Sequence, residues 1–161
     1  MISHLNNQNK PTIVNISKKN NTNRYAEAEG EIKFNEKVFK KIEKMQTKKG
    51  EITSISIIAG IMGAKKTSEL IPLCHNININ NINIDIKTNK KNFTLIVKAK
   101  VSSFGKTGVE MEALTAVSIS CLTIYDMCKG LDKSLTINKI KLITKTGGKS
   151  DFKRNKDVKK A

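Results

Sequence analysis

The chain has no tryptophan, two tyrosines and five phenylalanines among its 161 residues. That is thin equipment for stacking the bases of a single-stranded nucleic acid, where aromatic faces supply much of the binding. Its three cysteines, Cys74, Cys121 and Cys128, form no CxxC pair. An odd count argues against a secreted disulfide framework and suits a reducing cytosol. Nowhere is there a run of the roughly 18 apolar residues that a membrane span needs. The start, MISHLNNQNKPTIVNISKKNN, lacks the unbroken apolar stretch of a secretion signal. These absences lead us to expect a cytoplasmic protein whose partners include no nucleic acid and no membrane. Acidic residues are scarce as well, fourteen against thirty Lys and Arg, which leaves a formal charge of +16. Such an excess favours a phosphorylated substrate or another polyanion, although Lys, Asn and Ile crowd loops and strands alike and much of the charge is compositional.

A chain of this length fits one domain with a real core, burying roughly 70% of the surface that it exposes when unfolded. The Asn- and Lys-rich beginning and the charged DFKRNKDVKKA at the end frame it. We expect a flexible segment over residues 1–23, a single catalytic domain over 24–150 and a basic tail over 151–161. Within the domain, residues 31–34 read as a short strand, and Asn35 as the N-cap of a helix carrying Val38, Ile42 and Met45 on one face. The KKG at 48–50 ends that helix. A second begins near Ile52, with Ile55, Ile58, Ala59 and Met62 on one face, and Pro72 stops it. From Ile77 to Ile86 isoleucine alternates with polar residues but changes phase at Asn80 and Asn81, as a β-bulge would allow. Phe93, Leu95, Val97, Ala99 and Val101 alternate cleanly and complete a hairpin. Residues 109–129 form a helix apolar nearly all round, hence central and buried, and a last strand covers about 135–144. The order predicts an α+β fold, a ferredoxin-like (split βαβ) antiparallel sheet with helices packed on one face.

Four polar clusters exceed what such a fold requires. In LIPLCHN, residues 70–76, Cys74 and His75 are adjacent, and adjacent side chains rarely converge on one ion. No metal and no cofactor are therefore expected. In FGKTGVEMEALTA, residues 104–116, two glycines and a Lys-Thr pair lead into a helix start whose free N–H groups can hold an anion. Glu110 and Glu112 there complement the helix dipole, which is ordinary capping chemistry on its own. In IYDMCKG, residues 124–130, Asp126 and Lys129 are i, i+3 neighbours able to touch across one turn. The apolar helix around them is expected to desolvate the pair partly and suit it to proton transfer. In LITKTGGKS, residues 142–150, Lys145 and Lys149 flank two glycines that admit a phosphate close to the backbone. Glu110 and Asp126 lie sixteen residues apart on one helix, or roughly 24 Å along its axis. One nucleotide-sized ligand hardly spans them within a subunit, so an obligate oligomer with sites at subunit interfaces is expected.

Taken in order, KKGEI, IPLCH, KTGVEMEALTA, LTIYDMCK and KTGGKS resemble the molybdenum cofactor biosynthesis protein C family over about residues 4–153. The resemblance implies a cyclic pyranopterin monophosphate synthase, a lyase that receives cyclised dihydro-GTP from an upstream radical GTP cyclase. It builds the pterin ring system and closes a cyclic phosphate with release of pyrophosphate. A ferredoxin-like homohexamer, a trimer of dimers, is implied as well. Carried over by residue, the resemblance makes Asp126 the principal acid/base, Lys129 its partner and Lys49 a further catalytic lysine. It makes Leu73, Cys74, His75, Met111 and Glu112 substrate contacts, brings in Glu110 beside them, and sets Lys145, Arg24 and Lys149 against the phosphates. The chain departs from the family pattern at Asn76, where proline usually follows CH, and at Asp151, where glycine often follows KS.

Overall fold

The structure, a computed structural model, describes residues 5, 8–42, 46–47 and 50–155. In chain order come strand β1 (Thr22–Lys33), helix α1 (Glu36–Ile42), short strands β2 (Gln46–Thr47) and β3 (Gly50–Glu51), and helices α2 (Ile52–Lys65) and α3 (Thr67–Leu70). Strands β4 (Ile79–Asn89) and β5 (Thr94–Gly105), helix α4 (Glu110–Cys128), and strands β6 (Thr136–Thr146) and β7 (Phe152–Lys153) follow. Five strands make one antiparallel sheet in the order β4-β5-β1-β6-β7, and β2 pairs with β3 in a separate ribbon. Helix α4 lies across β1, β5 and β6, with α2 beside it over β4. The fold is α+β, with an antiparallel sheet, as the element order predicts.

Strand β1 is the central strand and far longer than the four residues expected. Its inward positions are Ala26, Ala28, Gly30 and Ile32, all buried. Small side chains carry little hydrophobic signal, so periodicity reveals only the Ile32 end. They are small because α4 comes close: a Cβ on Gly30 would stand 2.7 Å from Val117 Cγ1. The opposite, open face of the sheet carries Glu27, Glu29 and Glu31 down its middle, with Lys98 Nζ 3.0 Å from Glu29 and Lys139 Nζ 2.9 Å from Glu31.

Asn35 caps α1 as expected, its Oδ1 accepting from Val38 N at 2.8 Å. Met45, expected on the same helix face, is outside the described residues. Of the KKG expected to end that helix, Lys48 and Lys49 are likewise outside the described residues, while Gly50 opens β3; the β2/β3 ribbon escapes periodicity because each strand is two residues long.

Helix α2 reverses an expectation. The face bearing Ile55, Ile58 and Met62 points outward, with Ile58 59% and Met62 56% exposed, whereas Ser56, Gly60, Gly63 and Ala64 are buried. Helices pack closest where side chains vanish. A Cβ on Gly63 would stand 2.6 Å from Ile119 Cγ1, and one on Gly60 would overlap Ser120 Oγ. Ser120 Oγ itself donates to the Ser56 carbonyl at 2.9 Å. The helix ends at Lys65, and Thr67, bonded through Oγ1 to the Ala64 carbonyl, opens α3 before Pro72.

The phase change in β4 is a bulge, as expected. Register passes from Ile79↔Ser103 to Asn81↔Ser102, and Asn80 Oδ1 accepts from Phe104 N at 2.8 Å. Isoleucines on both sides of it, Ile77, Ile79, Ile82 and Ile86, therefore pack on the core. In α4, Ala113, Ala116, Val117, Cys121, Ile124 and Cys128 are fully buried. This is the one helix among the described residues long and apolar enough to cross a membrane, and 56% of its apolar window is buried inside the protein. Burial pushes the Cys121 and Cys128 thiols up to about 12 and about 11, which makes them inert packing groups.

Candidate active site

The start of α4 and the end of β6 meet over the start of β1. Lys145 is the cross-strand partner of Ala26, an inward position, and directly opposed residues share a face of the sheet. Its side chain therefore rises toward the helix, where Nζ stands 3.3 Å from Glu110 Oε1. Arg24, also inward and only 8% exposed, donates through Nε to the Gly105 carbonyl at 3.0 Å. The loop after β6 is fixed by Gly147, at φ +81°, a conformation that favours glycine. Thr22 Oγ1 donates to the Gly147 carbonyl at 2.6 Å, and Gly147 N donates to Asp151 Oδ1 at 3.1 Å. Between these pieces lies a cavity of about 280 Å³, lined by Lys19, Arg24, Lys106, Glu110, Lys145 and Lys149 among others. Five cations face one carboxylate there.

Two residues along α4 from Glu110, Glu112 is 3% exposed, and its Oε2 has no hydrogen-bond partner. Burial raises its pKa to about 7, against a backbone hydrogen bond that lowers it, and the charge of Glu110 adds to the rise. A carboxyl poised there can give or take a proton near neutral pH. Burial, then the charge of Glu112, raises the Cys74 thiol. Leu73, Cys74 and His75 are half-buried in the turn after α3, where Cys74 N donates to the Ile71 carbonyl at 3.0 Å. The His75 ring Nε2 lies 2.7 Å from the Val14 carbonyl. Met111 projects outward, 38% exposed.

Asp126 and Lys129 touch, with Nζ 2.9 Å from Oδ1, but their side chains are 53% and 54% exposed. The expected desolvation is absent in the single chain, because both residues point away from the sheet at the open end of α4. The hydrogen bond and then the charge of Asp126 hold the Lys129 ammonium above its ordinary value. The structure thus gathers Arg24, Glu110, Lys145 and Lys149 around one cavity, sets Glu112 within the electrostatic reach of Glu110 and Cys74 within that of Glu112, and leaves Asp126 and Lys129 at the far end of the helix. Lys49 is outside the described residues.

Lys106 and Lys19 also line the cavity, and sequence reasoning does not single them out. Lys106 opens the KTGVEMEALTA motif, which is a signal; Lys19 sits in a polar stretch that offers none. Larger depressions of about 400 and 430 Å³ lie at the α2/β4 edge and on the open sheet face, away from these residues, and one of about 370 Å³ shares Arg24 and Thr146 with the cavity. Among the described residues no three His, Cys, Asp or Glu side chains are grouped to hold a metal ion.

The site is thus a lysine- and arginine-lined cavity at the start of the core helix of an α+β protein, with positive charge concentrated around one carboxylate. The chain belongs to the MoaC family, whose sequence pattern matches residues 13–148. The cyclic pyranopterin monophosphate synthase of Helicobacter hepaticus is 53% identical over 154 residues, which cover 95% of this chain and 97% of that protein. Proteins of the same name from Helicobacter pylori and Peptoclostridium acidaminophilum are 50% and 48% identical, covering 93% and 94% of this chain and 95% and 96% of their own lengths.

Proposed function

We infer that the chain is a cyclic pyranopterin monophosphate synthase, a lyase of molybdenum cofactor biosynthesis. Its substrate in this reading is the cyclised dihydro-GTP delivered by an upstream radical GTP cyclase in the cytoplasm. The observation that carries the reading is the cation-lined cavity at the start of α4, coupled with near-full-length identity to enzymes of that name. A triphosphate explains clustered cations better than diffuse charge does, since charge-assisted bonds to phosphate oxygens are strong.

In this reading Lys145, Arg24 and Lys149 hold the phosphates, and Leu73, Cys74, His75, Met111 and Glu112, with Glu110 beside them, border the ring system. Asp126 and Lys129 are the acid/base pair, and Lys49 adds a third catalytic group. Closing the cyclic phosphate requires a hydroxyl oxygen to attack the α-phosphorus while pyrophosphate departs, and cations around the leaving group lower that barrier electrostatically. Ring opening and reclosure need proton transfers, which an Asp–Lys pair enclosed by a second subunit can perform.

The separation of the two groups along α4 supports sites shared between subunits, in a homohexamer built as a trimer of dimers. So does the outward apolar face of α2, with Ile58 and Met62 more than half exposed. The strand order, in which each crossover skips one strand, supports reading the fold as ferredoxin-like. An RNA-binding reading has less support, because Lys98 and Lys139 on the open sheet face are engaged by Glu29 and Glu31 and are not left for a phosphate backbone.

The test is conversion of the cyclised dihydro-GTP by purified protein, with pyrophosphate followed, beside Asp126→Asn and Lys129→Ala. Product from the wild type, lost in correctly assembled variants, is the expected outcome. A folded oligomer that yields no product would refute the assignment.

A further inference from the structure

Residues 12–19 run as irregular chain toward β1, and Lys19 at their end lines the cation-rich cavity. Two site side chains hold this segment through its carbonyls. The His75 ring Nε2 lies 2.7 Å from the Val14 carbonyl, and Lys106 Nζ donates to the Ser17 carbonyl at 2.7 Å. The segment is also folded on itself: Ser17 N donates to Asn15 Oδ1 at 2.9 Å, and Lys19 N to the Ile16 carbonyl at 3.1 Å. That turn brings the Lys19 side chain to the cavity wall beside Arg24, Lys106, Lys145 and Lys149.

We propose that residues 12–19 are a working wall of the substrate site, with Lys19 a further phosphate ligand and the Val14 and Ser17 carbonyls positioning His75 and Lys106. The proposal rests on the cavity being the phosphate end of the site. A carbonyl oxygen only accepts, so the hydrogen bond to Val14 is donated by Nε2 of His75, which fixes the ring's orientation. Lys106 has three N–H donors. One is engaged by Ser17, and the others remain for phosphate oxygens. A phosphate that fixes Lys106 therefore also fixes the strap. Five cations crowded around one cavity repel one another, and a polyphosphate relieves that repulsion while drawing Lys19 inward. Binding thus tightens residues 12–19 over the ligand.

The test uses the full chain and inorganic triphosphate as probe. Titration calorimetry should show Lys19→Ala binding roughly tenfold more weakly than wild type, the effect of removing one charge-assisted bond, with Lys19→Arg restoring most of it. Amide hydrogen exchange in residues 12–19 should slow when triphosphate binds the wild type, and Lys106→Ala should abolish that slowing with an unchanged melting temperature. Wild-type affinity in Lys19→Ala, or exchange in residues 12–19 unmoved by bound triphosphate, would overturn this proposal alone. A wild type that binds no triphosphate would overturn the phosphate reading of the cavity, and this proposal with it.

Discussion

Lys145 Nζ stands 3.3 Å from Glu110 Oε1, tying the end of β6 to the first turn of α4, with both side chains less than a third exposed. The ion pair keeps a lysine aimed into the cavity before any ligand arrives. It also offsets part of the mutual repulsion of Lys145, Arg24 and Lys149.

Lys145→Ala should therefore act on binding more than on folding. Steady-state kinetics should show KM raised roughly tenfold, as expected when one lysine no longer bonds a phosphate oxygen. Thermal melting should move by no more than about 1 kcal/mol of stability, since a partly exposed ion pair contributes little. A large loss of stability with unchanged KM would assign the lysine to the scaffold.

Glu112 should leave a mark on stability against pH. Its folded pKa, about 7, lies above the ordinary 4.5. Between those values the folded chain keeps a proton that the unfolded chain has released, so stability falls as pH rises from 4.5 to 7 and this contribution is level outside that window. The full swing is on the order of 3 kcal/mol. Glu112→Gln cannot ionise, so melts across this range should lose the slope, and at pH about 8 the variant should be the more stable protein. Equal slopes in both proteins would contradict a buried carboxyl here.

Gly147 and Gly148 should respond differently to alanine. At Gly147 a Cβ would strike the Asn23 carbonyl at a backbone angle, φ +81°, that alanine resists. We expect a cost of about 1–3 kcal/mol and a matching loss of triphosphate affinity as the lysine loop shifts. At Gly148 the nearest atom, 3.3 Å away, is the end of the Arg24 side chain, which can move. Calorimetric affinities of the two variants should separate clearly.

The outward face of α2 gives a test of assembly. Ile58→Asp places a charge where the single chain exposes 59% of an isoleucine. Sedimentation should show a smaller species, while circular dichroism keeps its helix and strand signals, because the residue contributes little to the core of its own chain. An unchanged sedimentation coefficient would remove this face from the interface.

The sequence makes the antiparallel α+β plan legible where side chains are large and regularly spaced. Leu95, Val97, Ala99 and Val101 announce β5, the phase change at Asn80 announces the bulge, and Asn35 announces its cap. It misleads where helices meet through the absence of side chains. Helix α2 packs on α4 along Ser56, Gly60 and Gly63, so the isoleucine stripe that marks a core face in most helices points outward instead. For the site, the motifs at the two ends of α4 and the glycine loop after β6 carry their own signals. The participation of Lys19 depends on how the chain enters β1, and no local pattern encodes that path. Exposure at Asp126 and Lys129 is likewise a property of the fold around them, which composition alone does not set.

The column Ala26, Ala28, Gly30 bears on how this chain can change over generations. Asparagine, lysine and isoleucine crowd nearly every other segment, yet three successive inward positions of the central strand hold one side-chain carbon or none. An isoleucine at Gly30 would need space already taken by Val117 and Ile140. Widening there would lift the helix that carries Glu110 and Glu112 away from the strand that carries Lys145. The column works as a spacer of fixed thickness, and it marks where substitution toward larger side chains meets a geometric limit.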